Sequence, residues 1–476
     1  MFMGIVLSAL CFIYLIQPGD AAAQETNAAS PSLSALAGEL REGYSYVGKI
    51  LIYGSYAIPS DSTQNPNNDF QKIPSFTANF SLRPDFYLHF RRLRFIMKPR
   101  LTARWSRWEV GSLEGESNSE TDSFVNEWLM SLELPEDIFL SYGRENLQWG
   151  PSYLLSPSNP FFRDNGRANP WREVAGMDFA RLVWVPSPNW SFSLIANLGE
   201  GRQKFISEDI EIPQIIWRIN ELQPGLIEQV NYLFEEFEKT YAFKADYTGY
   251  RKYLTFIASY REKDRLRLNG FAGWTVSNAL LVYGEASLAQ GSKALFPVQL
   301  GTVEDADLPV IALSPTRENS YALELLLLLG GSYTFESGST ITAEYVLNTE
   351  GYTNNETSLY LELRRQASLA YSVPGQVQDL AGFALTKILD PGLRTLRKHY
   401  LMLQYTKPEI RDIINVALRC TLNMEDLSSQ FIYTVQVDLS DYTELFFLGT
   451  VGLGRENTEF TSSVDSAIMV GLQFTF

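Results

Sequence analysis

The chain closes on Ile468-Met469-Val470-Gly471-Leu472-Gln473-Phe474-Thr475-Phe476. Ile468, Val470, Leu472, Phe474 and Phe476 share one parity; Met469, Gly471, Gln473 and Thr475 share the other. Successive side chains of a β-strand point to opposite faces, so the segment predicts a strand with one wholly apolar face. The same period of two recurs upstream at about 443–454, 428–439, 411–422, 398–408, 338–349, 318–335, 279–290, 264–275 and 252–262. It continues at about 240–248, 190–199, 174–186, 137–148, 122–135, 93–108, 75–89 and 44–58. Most of these segments match the ~9–11 residues a tilted strand needs to cross a bilayer. They number 18, and an even count returns both chain ends to one side. The expected fold class is all-β: a transmembrane antiparallel β-barrel of about 18 strands over 44–476. The division of 75–108 into two strands is the least marked, so 16 is the alternative count.

Composition points the same way. The 476 residues include 29 Phe, 25 Tyr and 9 Trp, yet only 45% are hydrophobic and the mean hydropathy is −0.11. Many aromatics without long apolar runs suit a chain that meets lipid through alternating strands. Against 55 acids stand 39 bases, a formal charge of −16, which argues against a general nucleic-acid binder. Two cysteines exclude a disulfide framework and two histidines leave little for zinc; no cofactor or metal is implied.

Gly4 to Ile16 is apolar and leads through Gln17-Pro18-Gly19-Asp20 to Ala21-Ala22-Ala23. This reads as a secretory signal peptide, residues 1–23, cut after Ala23. Met1-Phe2-Met3 departs from the pattern by carrying no basic residue. Residues 24–43 are then a short periplasmic segment, far too small for the plug of an active transporter. The best later apolar run, Ala322 to Leu329, is under half the ~20 residues of a spanning helix and carries Glu324.

Connections support the strand count. Those after even strands are short and rich in turn residues, such as Pro135-Glu136-Asp137 and Ser187-Pro188-Asn189. Those after odd strands are mostly long, including about 149–173, 200–239, 291–317 and 350–397. Short turns on the periplasmic side and long loops outside are the expected asymmetry. Leu226, Val230, Leu233, Phe234 and Phe237 predict an amphipathic helix near 225–239, and a weaker one is expected near 376–389, stopped by Pro391-Gly392. Either they pack on the rim or one folds inward. A terminal strand ending in Phe476 resembles the assembly signal of Gram-negative outer-membrane barrels. That resemblance implies the outer membrane as location, its lipid and lipopolysaccharide as surroundings, and the barrel-assembly machinery as a partner.

If lipid takes the apolar parity, the other parity faces the lumen. On 93–108 the apolar set is Phe95, Met97, Leu101, Ala103 and Trp105, and the opposite set holds Arg94, Lys98, Arg100 and Arg104. Turned to hydrocarbon, each cation would cost about 2–4 kcal/mol near the midplane. Arg181, Arg265 and Arg267 also fall on inward parity, as do Glu127, Glu324 and Glu344. The expectation is a basic wall and an acidic wall, which resembles the transverse field of general porins. The alternative is that these charges pair across neighbouring strands and fill a closed barrel.

After 137–148 comes Gly143-Arg144-Glu145-Asn146-Leu147-Gln148-Trp149-Gly150-Pro151, then Ser156-Pro157-Ser158-Asn159-Pro160-Phe161-Phe162. This Gly-Arg…Trp-Gly…Ser-Pro-x-Asn-Pro arrangement loosely resembles a segment of alginate-export-type porins and of the capsule-binding surface lectin barrel. Arg83-Pro84-Asp85 and Lys98-Pro99-Arg100 look similar in the exporter-like group. The resemblance implies an arginine-lined passage for anionic sugars, from which the inward carboxylates depart. Trp149, Phe161, Phe162 and Trp171 are candidates for stacking on sugars; the alternative is that they stiffen a long loop. His89 and His399 lack a serine or acidic cluster that would argue for an enzyme. The expected function is a passive diffusion channel for small hydrophilic solutes, anions or saccharides among them. The alternative is a polysaccharide-binding or exporting barrel whose loops close the lumen.

Overall fold

The computed structural model describes residues 33–202, 237–262, 266–292, 294–303, 308–315 and 323–476. The signal-peptide reading, the helix expected near 225–239 and Arg265 lie largely or wholly outside the described residues. Helix α1 (Leu33–Glu42) belongs to a unit of its own, ending at Gly43.

The second unit, Tyr44–Phe476, is built on β1 (Tyr44–Pro59), β2 (Phe76–Phe90), β3 (Leu93–Arg107), β4 (Ser117–Leu134), β5 (Ile138–Glu145) and β6 (Met177–Ser187). It continues with β7 (Trp190–Gly199), β8 (Thr240–Thr248), β9 (Lys252–Arg261), β10 (Arg267–Thr275) and β11 (Leu280–Gln290). Beyond a separate hairpin of β12 (Phe296–Val303) and β13 (Leu308–Ser314) come β14 (Leu323–Thr334), β15 (Thr340–Asn348) and β16 (His399–Ile410). The last strands are β17 (Ile414–Asn423), β18 (Ser429–Ser440), β19 (Thr443–Leu453) and β20 (Val464–Thr475). Leaving out the hairpin, 18 strands pair antiparallel with their neighbours in chain order. β20 pairs back onto β1, from Lys49↔Thr475 to Pro59↔Val464. The sheet therefore closes and has no free edge.

The 75–108 segment does contain two strands, which turn at Arg91-Arg92. On the terminal strand Val470 is 45% exposed and Phe474 42%, against 8% for Met469 between the same neighbours. The apolar parity faces outward, as its alternation demands. Phe476 seals the seam: its amide and carbonyl bond Gly48 in both directions, at 2.9 and 2.8 Å. Its ring lies where a Cβ on Gly48 would stand, 2.4 Å from the ring edge, so only glycine fits there.

Among the described residues no helix is long and apolar enough to cross a membrane. Two helices lie in the loop 349–398, called L7: α2 (Asn354–Tyr371) and α3 (Gln376–Leu389). α3 has the expected extent. α2 was not expected, although its capping box was legible: Thr353 Oγ1 accepts from Glu356 N and Glu356 Oε2 accepts from Thr353 N, at 3.3 and 2.7 Å. Tyr352, Tyr360, Leu363, Leu385 and Ile388 form a core with Phe296 and Ile311 of the extra hairpin. The hairpin lies within 291–317, which was expected as a long connection, and its two strands form a sheet separate from the barrel.

Candidate functional site

The loop 146–176, called L3, joins β5 to β6 and folds inside the barrel. Its apolar residues meet inward-facing apolar positions of the wall. Phe161 and Phe162 pack with Phe179, Ile195, Ala242 and Ile257, and Leu155 packs with Tyr283, Leu326, Leu328 and Val346. This explains why the inward parity is not uniformly polar: the wall opposite L3 is a protein core.

Two wall carboxylates hold the loop's near limb. Glu285 of β11 accepts from Ser152 N at 3.1 Å and from the Ser156 and Ser158 hydroxyls, both at 2.9 Å. Glu344 of β15 accepts from Tyr153 N (2.6 Å), Leu154 N (2.8 Å) and Tyr283 OH (2.6 Å). Both carboxylates are 1% exposed and are served by neutral donors, the arrangement by which a buried carboxylate is made tolerable. Gly150 at φ +87° makes the approach feasible, since a Cβ there would stand 2.2 Å from a Glu285 oxygen.

The far limb meets the opposite side of the barrel through charge. Register sets Pro84 against Pro99, two residues without an N–H, and leaves the β2–β3 ladder unpaired between Leu82↔Leu101 and Phe86↔Met97. Around this gap Arg100 pairs with Asp85 at 2.9 Å and grips Glu173 of L3 with two nitrogens, both at 2.7 Å. Arg83 donates to Trp171 O at 2.9 Å. Burial pushes the Glu173 carboxyl up, but the Arg100 guanidinium, assisted by Arg83, outweighs it and holds the group below its ordinary range. Between the limbs, Arg419 of β17 donates to Arg167 O (3.2 Å), and Trp171 donates to Glu444 of β19 (2.8 Å).

The register places Arg94, Lys98, Arg100 and Arg104 together on the inward face of β3, with Arg181 and Arg267 inward on β6 and β10. Glu127, Glu324 and Glu344 are inward as well. They do not sort into opposed walls. Lys98 pairs with Glu127 at 3.0 Å, Arg181 with Glu145 at 2.6 Å and Arg144 with Asp178 at 2.8 Å, each across neighbouring strands. Glu344 binds L3 rather than lining open water. Among the described residues Arg104 donates to the neutral Asn79, at 3.1 Å, with Glu120 opposite it across β3–β4, and Arg94 is exposed opposite His89.

The aromatic candidates are engaged elsewhere. Trp171 stacks on Phe446 with ring centres 4.2 Å apart, and Phe162 is enclosed in the wall cluster. Trp149 is edge-on to Phe161, and Lys244 stands 5.7 Å over its ring. The sugar platform expected of these rings is therefore taken up by packing of L3. Arg83, Asp85, Arg167 and Glu173 were missed as site residues, although Arg83-Pro84-Asp85 was a visible signal.

No family model and no curated protein matches the sequence. Among solved structures the chain is similar to OccAB1 of Acinetobacter baumannii, with a TM-score of 0.52 at 9% identity over 94% of this chain and 99% of that one. It is also similar to OccK5 (OpdH) of Pseudomonas aeruginosa, with a TM-score of 0.50 at 10% identity over 91% and 99%. The likeness is one of fold. It extends to a closed antiparallel barrel over nearly the whole of each chain, and it lends the alginate-export resemblance no support. In this chain the Gly-Arg…Trp-Gly…Asn-Pro segment is the strand end and loop that turn into the lumen.

Proposed function

We propose that the chain is an outer-membrane channel of a Gram-negative bacterium, through which small hydrophilic solutes diffuse down their gradient. An outward apolar belt on a closed barrel supports the membrane setting, because such a surface is stable only against hydrocarbon. The observation that carries the channel reading is L3, pinned across the lumen so that it narrows the path beside the β3 ladder. Among the described residues Arg94 makes no ion pair, and Arg104 bonds the neutral Asn79 with Glu120 opposite it in the β3–β4 register, while Lys98 and Arg100 are paired. Anionic solutes are therefore favoured over cations of the same size.

The test is single-channel conductance and reversal potential of the refolded protein in a planar bilayer under a salt gradient. Open steps with an anion-selective reversal potential are expected. Replacing Arg94 and Arg104 by glutamine should move that potential towards cations, and no shift defeats the role given to the ladder. A second reading, a barrel sealed by its loops that binds polysaccharide at the surface, rests on L7 lying against L3. Arg163 pairs with Asp390 at 2.9 Å, and Arg394 donates to Phe162 O at 2.9 Å. A folded barrel that never conducts would favour it.

A further inference from the structure

Strands β5 to β9 carry a shallow apolar groove of about 500 Å³ on the outer face of the barrel. Register explains it. Leu140, Leu182, Leu194 and Phe243 form one row across β5 to β8. The next row reads Tyr142, Ala180, Ala196, Tyr241 and Tyr260 across β5 to β9. Two alanines thus stand between phenol rings, and the wall is hollow over them. Leu194 and Tyr260 on the borders are 56% and 50% exposed and stand out as ridges.

The groove rises towards the side of the long loops. Ala196 stands three residues before the end of β7, whereas Tyr260 stands one before the end of β9. Four strand spacings of ~4.8 Å at a tilt of ~40° lift it by about 12 Å, close to the ~15 Å of one leaflet. Lys239, just before β8, is exposed and shares the parity of Tyr241, which sets an ammonium above the phenols. Glu262 lies beside it, its amide bonded to the Lys239 carbonyl at 3.0 Å. That carboxylate offsets part of the charge, so an apolar chain supplies most of the fit and a headgroup the lesser share.

The groove continues the surface that the barrel turns to lipid, and its shape selects the occupant. Between groups already in hydrocarbon, association rests on close packing, which a floor of small residues permits. Ridges on both borders keep the broad sheet of a second barrel off that floor, while a single hydrocarbon chain reaches it. On the long-loop side of an outer membrane the lipid is a phosphorylated glycolipid. We propose that this groove holds one acyl chain of lipid A as a resident lipid, with a phosphate beside Lys239. The inference rests on the membrane setting of the barrel and not on conduction.

The test is native mass spectrometry of the full barrel in detergent, equilibrated with lipid A or, in a second arm, with phosphatidylethanolamine. One lipid A should stay bound at collision energies that strip phosphatidylethanolamine. Ala196→Phe fills the floor and should lower the retained fraction at least about tenfold, since on the order of ten close carbon contacts are lost. Ala180→Phe should do the same, and it is the independent variant if the first fails to give the heat-resistant folded form. Lys239→Gln should lower retention by about threefold, the share of one exposed ion pair. Unchanged retention in a folded Ala196→Phe or Ala180→Phe overturns the site, and equal retention of the two lipids overturns its assignment to lipid A. Barrel dimers that vanish in Ala196→Phe would place a second copy in the groove and overturn it as well. A barrel that conducts yet retains no lipid A overturns this inference alone, and one that retains it without conducting overturns the channel reading alone.

Discussion

On the β11–β15 side, L3 is held through its own backbone and hydroxyls, which converge on Glu285 and Glu344; on the β2–β3 side it is held by guanidinium groups that grip Glu173. The first anchor is almost fully enclosed and spends its carboxylates on neutral donors. In the second, Arg100 is enclosed but Glu173 keeps 31% of its side chain open. Salt ions and charged solutes compete with an ion pair they can reach, whereas they have little access to donors turned towards a buried carboxylate. One limb of the loop is thus fixed to the wall, and the other borders the passage with charges that a solute can engage.

The largest effect should come from removing the enclosed anchor. Glu344→Ala leaves Tyr153 N, Leu154 N and Tyr283 OH without their acceptor, and unpairing buried groups of this kind costs about 3–5 kcal/mol. A lower midpoint of thermal unfolding and a larger, noisier unit conductance are expected, because the near limb comes loose. Glu344→Gln keeps an oxygen acceptor and should lose less. If Glu344→Ala changes neither quantity, the two limbs are not held differently.

A third carboxylate asks how far neutral donors can carry a buried charge. Glu459, in the loop 454–463, accepts from Tyr400 OH (2.5 Å), Asn423 Nδ2 (2.7 Å) and Leu396 N (3.4 Å). Asp426 stands beside it, bonded to the Glu459 amide at 3.1 Å, and Tyr360 of α2 faces it. Burial, followed by the Asp426 charge, pushes Glu459 up to about 7 despite its donors. In released loops the group returns to its ordinary 4.5. The docked form therefore binds the extra proton, so docking is strongest below about 4.5, weakens as pH rises to about 7 and then levels off. The span is up to about 3 kcal/mol by linkage. Amide exchange of 457–462, corrected for intrinsic rates, should show less protection at pH 8 than at pH 5. Glu459→Gln should abolish the difference.

The exposed anchor should give a smaller loss of stability and a clearer change of selectivity. Arg100→Ala strands Asp85 and Glu173 and should cost about 2 kcal/mol, discounted for the open side of Glu173. It should also shift the reversal potential towards cations. Raising salt from about 0.1 to 1 M, which shortens the screening length from ~10 to ~3 Å, should shrink the stability loss here and leave that of Glu344→Ala unchanged. Equal salt dependence at both sites would erase the contrast.

The two kinds of information differ in how local they are. Ile468 to Phe476 can be read unaided because facing lipid imposes one rule on alternate residues, and the register follows from that rule. L3 obeys no such rule. Glu285 and Glu344 sit at strand positions whose parity is the same whether they line water or bind a loop, so an acidic wall was a fair expectation and an incomplete one. Phe161, Phe162 and Trp171 suggested sugar stacking because their partners, Phe179 and Phe446, lie on distant strands. The two prolines were closer to legible: Pro84 and Pro99 each remove a ladder donor, and their coincidence across one hairpin marks where the wall yields to the loop.

The smallest effect should lie within the enclosed anchor. Ser156 and Ser158 both donate to the same Glu285 oxygen, at 2.9 Å, while Ser152 N serves the other. Ser156→Ala removes one donor among several and leaves Glu285 still bonded, so the cost should be about 1 kcal/mol, the net value of a single hydrogen bond. Removing Ser156 and Ser158 together strips one oxygen of its hydroxyl donors, and a residual contact from Ser158 N at 3.4 Å is a weak replacement. The double variant should therefore lose more than the sum of the two single variants. Thermal midpoints of the four proteins close this cycle. Strict additivity would mean that the hydroxyls act independently and that the Glu285 anchor is less of a unit than its geometry suggests.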